Sequence, residues 1–112
     1  MKTISVLDAL TGLAQETRLA IFRLLVEHGP EGMSAGAIAG KLGLADATLS
    51  FHLKELTHAD LVSARRDGRF IYYRANYRTM NELVAYLTEN CCRGTTCDIG
   101  CAPAPKLKRK AS

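Results

Sequence analysis

The chain has 112 residues, 47% of them hydrophobic, and a formal net charge of +4. That length suits one domain with a modest core and is too short for two ordinary ones, so burial against a second copy is expected to add stability. No apolar run reaches bilayer length and the N-terminus lacks the pattern of a signal peptide, so a cytoplasmic protein without membrane contact is expected.

The charge is uneven. Residues 1–60 carry 5 basic and 7 acidic side chains, and residues 61–112 carry 10 and 4. The second half is therefore where a polyanion would be met, because phosphate neutralisation supplies most non-specific nucleic-acid affinity.

Val6, Leu7, Leu10, Leu13 and Ala14 approximate a helical stripe, and Arg18 to Leu25 holds a second one that Gly29-Pro30 ends. Two helices are expected, the first short. Ser34 can cap a third helix that buries Ala35, Ile38, Ala39 and Leu42, with Gly43 as its stop. After the turn Gly43-Leu44-Ala45, Asp46 is the expected N-cap of a fourth helix with Leu49, Leu53 and Leu56 inward. Its expected outward set is Ala47, Thr48, Ser50, Phe51, His52, Lys54 and Glu55. Two short helices across a tight turn containing glycine make a helix-turn-helix.

The period then changes. Leu61–Arg65 and Phe70–Arg74 are β-branched and aromatic runs separated by Arg66-Asp67-Gly68-Arg69, where Asp-Gly is expected to supply the positive φ angles of a tight hairpin. This predicts a two-stranded wing with Arg66 and Arg69 at its tip, where they can reach phosphates or the minor groove. Thr79 is the expected cap of a last helix with Met80, Leu83, Val84 and Leu87 on one face.

That helix runs straight into all four cysteines of the chain, Cys91, Cys92, Cys97 and Cys101. Soft thiolates select thiophilic ions, and in a reducing compartment clustered thiols are more often ligands or redox groups than structural bridges. Four thiols allow either the three-sulfur pyramid of trivalent arsenic or the tetrahedron of zinc. Neither pair has the two-residue spacing of a zinc knuckle. Past Cys101, Ala-Pro-Ala-Pro and Lys106–Lys110 read as a disordered basic tail. No Gly-rich phosphate loop, Ser/His/Asp order or carboxylate pair supports an enzyme.

Three stretches carry a resemblance: Leu13–Leu19 before the second helix, Leu42–Leu53 in the recognition region, and Arg66–Tyr73 in the wing. In this order they resemble the ArsR/SmtB family of bacterial winged-helix repressors over residues 6–90. The resemblance implies a mainly α fold with a β-hairpin wing, a homodimer formed by the first and last helices, and repression of operator DNA. Leu49 to Lys54, Leu-Ser-Phe-His-Leu-Lys, together with the terminal cysteine pair is similar to a subgroup whose implied inducer is trivalent arsenic.

Departures from the family pattern are also present. Ala45-Asp46 stands where many members have Ser-Gln, and Phe51 where a polar side chain is common; Phe51 can meet a thymine methyl. Met33–Ile38 lacks the thiols of the arsenic site found there in many relatives, and no histidine follows His58 to build a last-helix zinc site. Sensing therefore falls to residues 91–101, with Cys91, Cys92 and Cys97 as the expected arsenic(III) ligands and Cys101 as substitute.

The reading is thus a DNA-binding and dimerisation domain over 1–90, a sensing segment over 91–101 and a tail over 102–112. Operator binding is assigned to Ala47, Thr48, Ser50, Phe51, His52, Lys54, Arg66 and Arg69. Arsenite is the expected release signal, with methylarsenite and antimonite in the same ligand class. A zinc, cadmium or redox sensor of the same fold is the alternative.

Overall fold

The computed structural model describes residues 1–94. Cys97, Cys101 and the tail over 102–112 lie outside the described residues. The elements are α1 (Thr3–Leu13), α2 (Glu16–His28), β1 (Met33–Ser34), α3 (Ala35–Leu42), α4 (Asp46–His58), β2 (Val62–Asp67), β3 (Phe70–Ala75) and α5 (Tyr77–Leu87). A single 3-10 turn, Cys91–Gly94, follows α5. This is the expected order of helices and wing, with one strand added.

Helix ends follow from local chemistry, and two expected caps are corrected. Ser34 does cap α3, its hydroxyl accepting from the Ala37 N–H, and Gly43 closes that helix in the left-handed conformation at φ 67°. Asp46, by contrast, is not a cap. Ala45 occupies that position without a side-chain bond, and Asp46 sits inside the first turn, where its charge favours the helix N-terminus only electrostatically. Thr79 is displaced as well: the Asn76 carboxamide accepts from the Thr79 N–H, and α5 starts at Tyr77.

Asn76 suits the cap because its short side chain bonds in two directions. Its amide also donates to the Asp60 carbonyl at 3.0 Å. Thr79 is buried instead, with its hydroxyl donating to an Asp60 carboxylate oxygen at 3.3 Å. Together these bonds tie the start of α5 to the turn that links α4 to the wing.

The sheet has the order β1-β3-β2 and is antiparallel throughout. The wing register pairs Val62 with Ala75 and Asp67 with Phe70, which leaves a two-residue loop, Gly68-Arg69. Gly68 alone carries the positive φ, 63°, at the position where a type II′ turn requires it, so Asp67 belongs to the strand rather than the turn. β1 was not anticipated from the sequence: two residues are too few to show a period, and Met33 and Ser34 pair with Tyr73 and Tyr72 only once the chain has folded. Gly32 allows the approach. A Cβ there would stand 2.8 Å from the Tyr73 carbonyl oxygen, at φ 84°.

The core is centred on α2, with Ile21, Leu25, Ile38, Leu49, Leu56, Leu61 and Val62 fully buried. Tyr77 closes one side by donating its hydroxyl to the Val26 carbonyl at 3.1 Å, near the end of α2. α1 covers the core through Val6, Ala9 and Gly12, and Gly12 leaves room for Ala59 and Leu61. At 11 residues it is longer than expected. Leu7 and Leu10 from its expected inner stripe face outward, as do Val84 and Leu87 of α5.

Candidate nucleic-acid interface and thiol site

α4 presents its polar side to solvent because Leu49, Leu53 and Leu56 fasten the opposite side to the core. Ala47, Thr48, Ser50, Phe51 and Lys54 are exposed, as expected from spacing, and Glu55 is half-buried. His52 is the exception and a correction to the outward set. It is only 9% exposed and lies against Arg18, with Nδ1 3.5 Å from a guanidinium nitrogen. The physical reason is its position beside Leu53 and three residues after Leu49, which carries it toward the buried stripe.

Arg18 holds a second contact, its Nε donating to the Gly12 carbonyl at 2.8 Å. The last turn of α1 is thereby joined through Arg18 to the recognition helix. Sequence reasoning assigned Arg18 no role, although it sits in the Gln-Glu-Thr-Arg phrase before α2.

The wing stands beside α4. A groove of about 320 Å³ separates them, lined by Ser50, Lys54 and Thr57 of the helix and Ala64 and Tyr73 of the sheet, among others. Arg66 and Arg69 are exposed and make no hydrogen bond or ion pair with a described residue. Their charges are therefore available to a polyanion. Arg65, missed in the sequence, is held differently: it stacks over Tyr72 at 5.1 Å, pairs with Asp67 at 3.6 Å and donates to the Glu31 carbonyl. Arg74 donates to the Ser63 hydroxyl at 3.4 Å. With Lys54, the helix and wing thus gather five exposed cations against Asp46 and Asp67.

A second cluster begins four residues beyond α5. The chain leaves that helix through Thr88, whose hydroxyl donates to the Val84 carbonyl, and Asn90, Cys92 and Arg93 then take left-handed φ values of 54–59°. Non-glycine residues adopt that conformation at a cost, of order 1 kcal/mol each. The outcome is a reversal that sets the Cys91 and Cys92 sulfurs 3.7 Å apart.

Desolvation, then the hydrogen bond and charge of Cys92, push the Cys91 thiol above its ordinary value. The sulfur spacing lets one ion bridge the pair. Two bonds of about 2.3 Å, the zinc–thiolate length, would span it near the tetrahedral angle, so the adjacent pair does not disfavour zinc as its spacing had suggested. Among the described residues no group of three His, Cys, Asp or Glu side chains could hold a metal ion. A three-sulfur site would require Cys97 or Cys101.

Comparison with known proteins adds to this geometry. The family described as a helix-turn-helix domain matches residues 13–64. The nodulation protein NolR of Rhizobium meliloti is 38% identical over 80 residues, covering 71% of this chain and 63% of that protein. A protein named as an arsenical resistance operon repressor, ArsR, in Halobacterium salinarum is 37% identical over 76 residues, covering 68% and 58%. The chain thus spans about three-fifths of the length of these relatives.

Among solved structures, an ArsR-like transcriptional regulator from Rhodococcus superposes with a TM-score of 0.68 at 28% identity, covering 80% of this chain and 81% of that one. NolR from Sinorhizobium fredii gives 0.61 at 36%, covering 78% and 84%. A homodimeric winged helix-turn-helix DNA-binding domain from Mycobacterium bovis gives 0.63 at 29%, covering 81% and 84%.

Proposed function

The chain belongs to the ArsR family of winged helix-turn-helix regulators, and from that premise we propose a homodimeric transcriptional repressor that leaves its operator when trivalent arsenic binds the terminal cysteines. The observation that carries the DNA-binding part is the exposed polar face of α4 beside a wing whose Arg66 and Arg69 are available to phosphate. Ala47, Thr48, Ser50, Phe51 and Lys54 face the major groove in this reading, and His52 supports them from behind.

The dimer is supported by apolar surface that a lone chain leaves wet. Ile4, Leu7 and Leu10 of α1 and Val84 and Leu87 of α5 are 38–68% exposed. The two helices are neighbours, joined by the Thr3 and Tyr86 hydroxyls at 2.8 Å. A contiguous apolar patch of this kind marks an interaction site, and a second copy supplies a matching one by symmetry. Two recognition helices would then meet successive major grooves about 34–36 Å apart.

Arsenic is favoured as inducer by the paired sulfurs of Cys91 and Cys92, with Cys97 as the third ligand and Cys101 as its substitute. The Halobacterium relative is named for arsenical resistance. The site follows α5 directly, so tightening it would bias the angle at which two chains meet. For induction the ligand must bind the DNA-free geometry more tightly, by a coupling of about 1–3 kcal/mol. Methylarsenite and antimonite belong to the same thiophilic class.

A zinc or cadmium sensor is the second reading, favoured by the near-tetrahedral span of the same two sulfurs. The test is fluorescence anisotropy of a labelled duplex from the gene's own promoter, with protein kept reduced by a phosphine and titrated with arsenite, methylarsenite, antimonite and zinc. Release at near-stoichiometric arsenic supports the proposal. Release by zinc alone transfers the function to the second reading, and failure to bind the duplex more tightly than unrelated DNA refutes both.

A further inference from the structure

We infer that Phe51 reads a thymine methyl group in the major groove, and that Arg18 and His52 are the positioning residues that hold its ring. The inference rests on the DNA-binding reading of α4. Phe51 is 57% exposed in the middle of a face otherwise made of Ala47, Thr48, Ser50 and Lys54. An aromatic ring left in water there contributes little to the fold, because its apolar area is buried against nothing.

The ring is nevertheless fixed. Phe51 packs edge-on against His52, with ring centroids 5.4 Å apart and planes at 65°, the arrangement that aromatic quadrupoles prefer. His52 is buried and lies 3.5 Å from an Arg18 guanidinium nitrogen, and Arg18 in turn donates to the Gly12 carbonyl. A chain of contacts therefore runs from the last turn of α1 to a ring aimed at solvent. A side chain ordered before binding loses less entropy on contact than a loose one.

Base chemistry then selects the partner. In the major groove only thymine offers an apolar group, its C5 methyl, whereas guanine, cytosine and adenine present donors and acceptors that lose water when a phenyl ring covers them. Phenylalanine has no polar atom with which to repair that loss. An A·T pair with its thymine under Phe51 is thus the complementary choice in each half-site.

The experiment uses the full chain. A random duplex pool is selected against it, and each thymine of the enriched half-site is replaced in turn by uracil, which lacks only the methyl. Anisotropy should show one thymine per half-site whose replacement weakens binding about fourfold, the effect of one buried methyl. Phe51→Ala, a surface change that should leave the fold intact, should bind the thymine and uracil duplexes equally, and Phe51→Leu should keep part of the ratio. Arg18→Gln should narrow the ratio while the salt dependence stays that of the wild type, which distinguishes positioning from loss of charge or of fold.

If every thymine tolerates uracil, or if the ratio survives in Phe51→Ala, Phe51 is not the reader. An unchanged ratio in Arg18→Gln removes the positioning role. Selection that enriches no sequence overturns the DNA-binding reading and this inference with it.

Discussion

Individual side chains divide the work between two chemistries that barely touch. Cys91 and Cys92 lie beyond the last helix and outside the core, so Cys91→Ser or Cys92→Ser should leave DNA affinity within about twofold while abolishing release by arsenite. Anisotropy with and without arsenite measures both, and loss of DNA binding in either variant would count against separate sites. Proton balance separates the ligands. Zinc must displace thiol protons, and because the Cys91 thiol sits above its ordinary value, zinc affinity should rise from about pH 6 to pH 8 and beyond. Arsenous acid instead exchanges each hydroxyl for a thiol and releases it as water with the thiol proton, so its affinity should stay nearly flat over that range. Calorimetric titration at several pH values reads the difference.

At the scale of elements, the wing and the short strand β1 make different demands. Arg66 and Arg69 have no partner among the described residues, so replacing either by alanine should lower the slope of log affinity against log salt by about 0.9 without altering stability. β1 depends on backbone approach. Gly32→Ala would place a Cβ 2.8 Å from the Tyr73 carbonyl at a positive φ, and should cost about 1–3 kcal/mol in urea denaturation. The caps show why spacing alone misplaces helix ends. Asn76 and Thr79 are both good N-cap residues, and the choice fell to Asn76 because Asp60 lies near enough to bind both of them.

For the whole molecule, the decisive property is the apolar face shared by α1 and α5. Leu7→Glu or Val84→Glu should leave a folded monomer, since both side chains are at least half exposed in the chain alone, and should lower operator affinity roughly a hundredfold by removing bivalent binding. Sedimentation velocity checks the first outcome and anisotropy the second. A variant that stays dimeric would place the interface elsewhere. Coupling between the thiol site and DNA must pass through this same face, because Cys91 follows α5 directly whereas α4 lies across the core.

The order of helices, the polar side of α4, the Ser34 and Gly43 caps and the basic wing were legible in the sequence, because each depends on residues a few positions apart that one helical turn or one hairpin brings together. The concentration of thiols after α5 was legible for the same reason. Tertiary structure alone decided the rest. His52 faces inward because Arg18, 34 positions earlier, waits there; β1 exists because β3 lies alongside it. Leu7, Leu10, Val84 and Leu87 belong to the outer surface of the chain because the core was already filled by Val6, Ala9 and Leu83. An apolar stripe records that a side chain must leave water, but not which neighbour will cover it, since that depends on packing among segments distant in sequence.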